Sequence, residues 1–169
     1  MTGLCFVDAN VFVYALDPRD PAKQRRARTW RDHLWRAELG CTSIQVLSET
    51  YATLKRLGGA TPEELWKSVS RYFAWRPLAT DQSLLCRAHD IEQRWKISWW
   101  DSMIVAAAQL QDCEILLTED LQDGGVFGTV TVRSPFTLEV RQPVASYAVT
   151  PLVASLHRPR GRPRRAAYA

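Results

Sequence analysis

The sequence predicts an α/β sandwich built on a mainly parallel sheet, and three observations carry that expectation. A short apolar run, Leu4 to Val7, stops at Asp8, and a second, Ile115 to Leu117, stops at Thr118, Glu119 and Asp120. Continuous apolar runs of this length mark strands buried on both faces. The long stretch between them is patterned for helices, which supply the crossover connections that parallel strands need.

After the first strand, Pro21 to Leu39 is rich in Arg, Ala and Trp and reads as a helix. Ile44 to Leu57 places Val46, Thr50, Leu54 and Leu57 on one stripe. Thr61 caps a helix over Pro62 to Ala74, with proline at its first position and Glu64 three residues after the cap. Asp81 to Trp95 repeats Leu84, Leu85, Ala88, Ile91 and Trp95 at helical spacing, and Trp99 to Leu110 follows it. Alternating Val and Thr over Gly128 to Val132 predict a last strand. Ligands of such sheets bind beyond the carboxyl ends of the strands, the edge to which Asp8 and Asp120 both belong.

With 169 residues and 46% hydrophobic content, the chain can bury one core without disulfides or structural zinc. Compositional change after Phe136 divides the chain into a folded domain, 1–136, and a C-terminal extension, 137–169, that is Arg/Pro-rich and expected to be disordered. No apolar run of about 18 residues could span a bilayer, and no signal peptide is evident, so a cytoplasmic protein with no membrane contact is expected. Cys5, Cys41, Cys86 and Cys113 are scattered singly, which suits small core residues in a reducing compartment. His33, His89 and His157 are equally isolated, which argues against a zinc hydrolase or a Ser-His-Asp triad. Five of the arginines behind the net charge of +4 lie in residues 151–169 with no acid among them, which leaves −1 on residues 1–150. Nucleic-acid binding by the domain must therefore rest on local patches and bound metal.

Asp101 shares a helical face with Ile104, Val105 and Ala108, where an apolar residue is expected. It could alternatively cap its helix. Glu49 borders the stripe of Val46, Thr50 and Leu57 and could be an ordinary solvated acid, and Asp8 could cap a following helix.

Taken together, VDAN at 7–10, QVLSETY at 45–51, WWDSMIVAAAQ at 99–109 and LLTEDLQDG at 116–124 resemble PIN domains. The chain looks like the VapC-type toxins of type II toxin–antitoxin systems, over roughly residues 3 to 133. The resemblance implies a three-layer α/β/α sandwich. It also implies a metal-dependent endoribonuclease that leaves a 5′-phosphate and a 3′-hydroxyl, with Asp8, Glu49, Asp101 and Asp120 holding Mg²⁺ or Mn²⁺. Asn10, Ser102 and Thr118 match positions that support the carboxylates or their waters, while Glu119 and Asp123 stand close enough to compete with Asp120, Asp123 as a rim alternative. Hard divalent cations prefer oxygen ligands, and metal relieves the repulsion among clustered carboxylates.

The implied partners are an RNA substrate, a cognate antitoxin that places a cation beside the acids, and a second copy in a homodimer. Trp99 and Trp100 are candidates for stacking on unpaired bases, with core packing as the alternative. The run Lys23, Arg25, Arg26, Arg28 and Arg31 could track a phosphate backbone or form a solvated face. RPRGRPRR, Arg158 to Arg165, resembles an AT-hook and offers weak grounds for DNA contact by the tail. Two other functions compete: a catalytically silent PIN-like module that binds RNA or protein, and a haloacid dehalogenase-like phosphatase. The latter usually has a second Asp where this chain has Asn10.

Overall fold

The computed structural model describes residues 3–138. Strand β1 (Cys5–Val7) leads through α1 (Ala9–Leu16) and α2 (Pro21–Ala37) to β2 (Gly40–Cys41). Helices α3 (Ile44–Leu57) and α4 (Pro62–Ser70), a 3₁₀ turn (Arg71–Trp75), α5 (Gln82–Trp95) and α6 (Trp99–Leu110) follow. Then come β3 (Ile115–Leu117), β4 (Val126–Phe127) and β5 (Val130–Arg133). The sheet order is β2-β1-β3-β5-β4, parallel throughout except for the β4–β5 hairpin. The architecture is the three-layer α/β/α sandwich with a mainly parallel sheet.

Local chemistry starts the helices where the sequence places them. Asp20, Ser43, Thr61, Asp81 and Ser98 each accept a hydrogen bond from a backbone N–H of the first turn, and Thr61 with Glu64 completes a capping box. The fourth helix is shorter than expected, stopping at Ser70 and tightening into the 3₁₀ turn. The last strand begins at Val130 rather than Gly128, whose φ of 65° turns the hairpin. Cys5, Cys41 and Cys113 are buried as expected, whereas Cys86 is exposed on α5. Leu138 is buried too, so packing continues two residues past Phe136.

The chain moves one way from β1 to β2 and then back across to β3. Helix α3 packs on α1, and Tyr72 and Trp75 of the 3₁₀ turn pack on Phe12 of α1 and Trp35 of α2, so this part of the connection sits with α1–α2 before α5 and α6 carry the chain back to β3. Helix α6 packs on β1, β3 and β5, with α5 against it, which is why Ser102 through Ala108 are all buried and mostly small. The gap between β1 and β3 is the topological switch point, where ligands of open α/β sheets bind. A helix that feeds a parallel strand runs antiparallel to it, so α6 begins at the carboxyl edge of the sheet.

Among the described residues no helix is long and apolar enough to cross a membrane. The AT-hook-like stretch and nearly all of the extension lie outside the described residues.

Candidate active site at the carboxyl edge

Asp8 follows β1 directly and caps α1. Its backbone N–H donates to the Leu117 carbonyl at 3.1 Å, which docks it against the end of β3. One carboxylate oxygen accepts from the Ala9 N–H at 2.6 Å. The other accepts from Thr118 Oγ1 at 2.8 Å and Asn10 Nδ2 at 3.0 Å. Only 4% of Asp8 is exposed. Burial pushes its carboxyl up to about 7; the Thr118 and Ala9 hydrogen bonds oppose that rise, and the negative charges of Asp120 and Glu49 add to it.

Asn10 joins the two strand ends, for its Nδ2 also lies 3.0 Å from Thr118 Oγ1 and 3.1 Å from Asp120 Oδ2. The Asp120 N–H in turn donates to Thr118 Oγ1 at 3.1 Å. Asn10 Oδ1 is buried with no hydrogen-bond partner among the described residues. Asp8, Asn10, Thr118 and Asp120 thus form one connected group. Glu49 lies half-buried on α3, accepts from Gln45 Nε2 at 2.9 Å, and stands near enough to raise Asp8.

Asp101 sits in the first turn of α6, where its carboxylate accepts from Ser98 Oγ at 2.7 Å while its N–H donates back to the same hydroxyl. The cap of α6 is thus Ser98 and not Asp101, which lies inside the first turn at the carboxyl edge. Ser102 does not reach the acids; its hydroxyl donates to the Ser98 carbonyl at 2.8 Å.

Asp123 belongs to a different arrangement. Its carboxylate takes hydrogen bonds from Arg133 Nε, the Ser134 N–H and Thr137 Oγ1 at 3.0–3.2 Å. The Ser134 N–H does most to hold its pKa below the ordinary range. Asp120, not Asp123, shares a donor with Asp8. Glu119 is likewise committed elsewhere, to Lys23 at 2.6 Å. That contact escapes sequence reading because the partners are 96 positions apart.

Of the basic run on α2, Lys23, Arg26 and Arg31 are half-buried, while Arg25 and Arg28 are exposed. Lys23 bonds Glu119, Arg26 the Leu138 carbonyl, Arg28 the Ala15 carbonyl and Arg31 the neighbouring Asp32. The tryptophans divide: Trp99 packs against the core, and Trp100, 62% exposed, stands beside Asp101.

Among the described residues no three acidic, histidine or cysteine side chains are arranged to hold a metal ion. Each acid is instead satisfied by a local donor, Asn10, Gln45 or Ser98. The donor chemistry nevertheless fits a hard divalent cation. Every candidate ligand is an oxygen, the negative charges that raise Asp8 have no cation among their hydrogen-bond partners, and a buried amide oxygen is left over.

The sequence pattern of the PIN domain matches residues 5–122. The chain belongs to the PIN domain family. Membership sets aside the haloacid dehalogenase-like alternative and accounts for the fold around the switch point. Among solved structures, this PIN domain is similar to a chain of a toxin–antitoxin complex from Klebsiella pneumoniae. The two share 18% identity over 79% of this chain and 99% of that one, with a TM-score of 0.52. It is also similar to VapC20 of Mycobacterium tuberculosis, described as a sarcin-ricin loop cleaving toxin, at 20% identity over 66% of this chain and 86% of that one, with a TM-score of 0.50. At such identities the likeness is one of fold. No curated protein sequence matches the chain.

Proposed function

We propose that this PIN domain is a metal-dependent endoribonuclease and the toxin of a toxin–antitoxin pair. In this reading Asp8, Glu49, Asp101 and Asp120 hold Mg²⁺ or Mn²⁺. The observation that carries it is the buried Asp8, joined to Asp120 through Asn10 at the switch point and raised by neighbouring negative charge. Bound there, the cation would polarise a phosphate oxygen and acidify an attacking water. The chain's own contribution is orientation. Thr118 and the Ala9 N–H fix the Asp8 carboxylate, Asn10 sets its spacing from Asp120, and the exposed Trp100 ring offers a base a stacking surface next to Asp101.

The two neighbours described as a toxin–antitoxin complex and as a sarcin-ricin loop cleaving toxin support an RNA substrate and a protein inhibitor. An antitoxin that inserts Arg or Lys among the acids would satisfy them by charge pairing. A homodimer, a cytoplasmic location and a separable extension after residues 136–138 belong to the same proposal. The experiment is cleavage of defined single-stranded and loop RNAs with added Mg²⁺ or Mn²⁺, repeated with EDTA and with Asp101→Asn. Metal-dependent cutting lost in both controls supports the reading. The local donors that satisfy each acid favour the second reading, a silent binding module, and that module would bind these RNAs without cutting them.

A further inference from the structure

We propose that Lys23 is a positioning residue for the turn 118–120, one that keeps Glu119 away from the acid cluster so that Thr118 and Asp120 can face Asp8. This inference rests on the nuclease reading for its catalytic consequence. Three consecutive polar residues leave β3 there, and the outer two both bond into the cluster, Thr118 to Asp8 and Asp120 to Asn10. Glu119 carries a fifth carboxylate between them, within one residue of Asp120.

The structure holds that carboxylate with one ammonium on which three elements converge. Lys23 Nζ, from the start of α2, donates to Glu119 Oε2 at 2.6 Å and to the Tyr14 hydroxyl at 2.9 Å. The same ammonium lies 4.3 Å from the Tyr14 ring centre and 4.9 Å from that of Phe136, and the two rings meet edge to face at 5.3 Å. Tyr14 belongs to α1, the helix that carries Asn10 and is capped by Asp8, while Phe136 follows β5. The Lys23 and Glu119 side chains are only 33% and 25% exposed, so the pair is partly shielded from screening. An ammonium placed against two aromatic faces and bonded to both partners has a defined position, unlike a solvated surface lysine. Without it, Glu119 would be free to compete with Asp120 for whatever cation the cluster recruits.

The test uses Lys23→Met, which keeps an apolar stem between the rings and removes the ammonium, alone and combined with Glu119→Gln. Two readouts are taken on the full chain: RNA cleavage, and hydrogen exchange of the Asp120 amide, which is bonded to Thr118 Oγ1 at 3.1 Å. Lys23→Met is expected to lower kcat about tenfold with KM little changed, and to speed Asp120 exchange by a similar factor. In the double variant, which has no unpaired carboxylate to misplace, both readouts should return to within about threefold of wild type. A double variant as impaired as Lys23→Met, or a Lys23→Met protein indistinguishable from wild type in both readouts, overturns the proposal and leaves the nuclease reading standing. An inactive wild type whose Asp120 exchange still responds and recovers as described would overturn the nuclease reading while supporting the holding role of Lys23.

Discussion

Asp8 and Asp123 are both carboxylates at the end of the sheet, yet their surroundings differ in kind. Asp123 is met by a guanidinium, a backbone N–H and a hydroxyl, and its pKa is lowered. Asp8 is buried among other negative charges with neutral donors only, and its pKa is raised to about 7. An acid that serves the fold is neutralised by the fold. An acid left with excess charge in a buried position costs stability, and such acids cluster at functional sites. The largest effect expected from this contrast is on cleavage. Asp8→Asn should reduce RNA hydrolysis by about a thousandfold or more, whereas Asp123→Asn should leave it within about threefold. Initial rates on one defined RNA decide the matter, and equal losses in the two variants would break the comparison.

The two acids should also respond to pH in opposite directions. A carboxyl raised from 3.8 to about 7 in the folded protein contributes stability that is complete below the lower value and is lost as pH rises through the higher. The metal-free protein should therefore lose thermal stability between about pH 4 and pH 7. Asp8→Asn should flatten that decline, and Mg²⁺ should offset it at the alkaline end. Asp123, with its lowered pKa, contributes stability that is present above the usual carboxylate range and is lost only on strong acidification. Scanning calorimetry with and without EDTA across this range reads both behaviours. A metal-free wild type that grows more stable from about pH 4 to pH 7 would show that Asp8 is not the strained acid.

How much of this contrast could be read from the sequence depends on the distance between partners. Apolar runs that end in acids placed β1 and β3, and the crossover rule then put Asp8 and Asp120 on one edge. The cap at Thr61 is a short-range signal and was equally legible. Helix α1 was not, because Val11, Phe12, Val13 and Tyr14 are residue types that suit a strand as well as a helix. Strands β2 and β4 have two residues each and so carry no alternation to detect. Within the site, Thr118 and Asn10 bond Asp8, and Asn10 also bonds Asp120. Ser102 instead bonds a carbonyl within its own helix, where a buried hydroxyl finds the nearest acceptor. The separation of Asp120 from Asp123 required the Arg133 and Ser134 contacts, which span a hairpin invisible in local pattern.

The smallest expected effect sharpens the comparison most, because it asks what neutralisation alone is worth. Arg133 and Asp123 are 36% and 40% exposed, so their ion pair is screened and should contribute no more than about 0.5 kcal/mol. Arg133→Met leaves Asp123 its bonds from the Ser134 N–H and Thr137 Oγ1 and should not alter cleavage. Asn10→Ala removes an uncharged donor instead, but that donor reaches two carboxylates and the Thr118 hydroxyl from a partly buried position. It should cost about 1–2 kcal/mol in the metal-free protein, since it withdraws hydrogen bonds from like charges that nothing else separates. Urea unfolding of the two variants in EDTA measures both differences. An Arg133→Met cost equal to or above that of Asn10→Ala would mean that the salt bridge, and not the uncharged bridge at the switch point, is the more important polar contact along this edge.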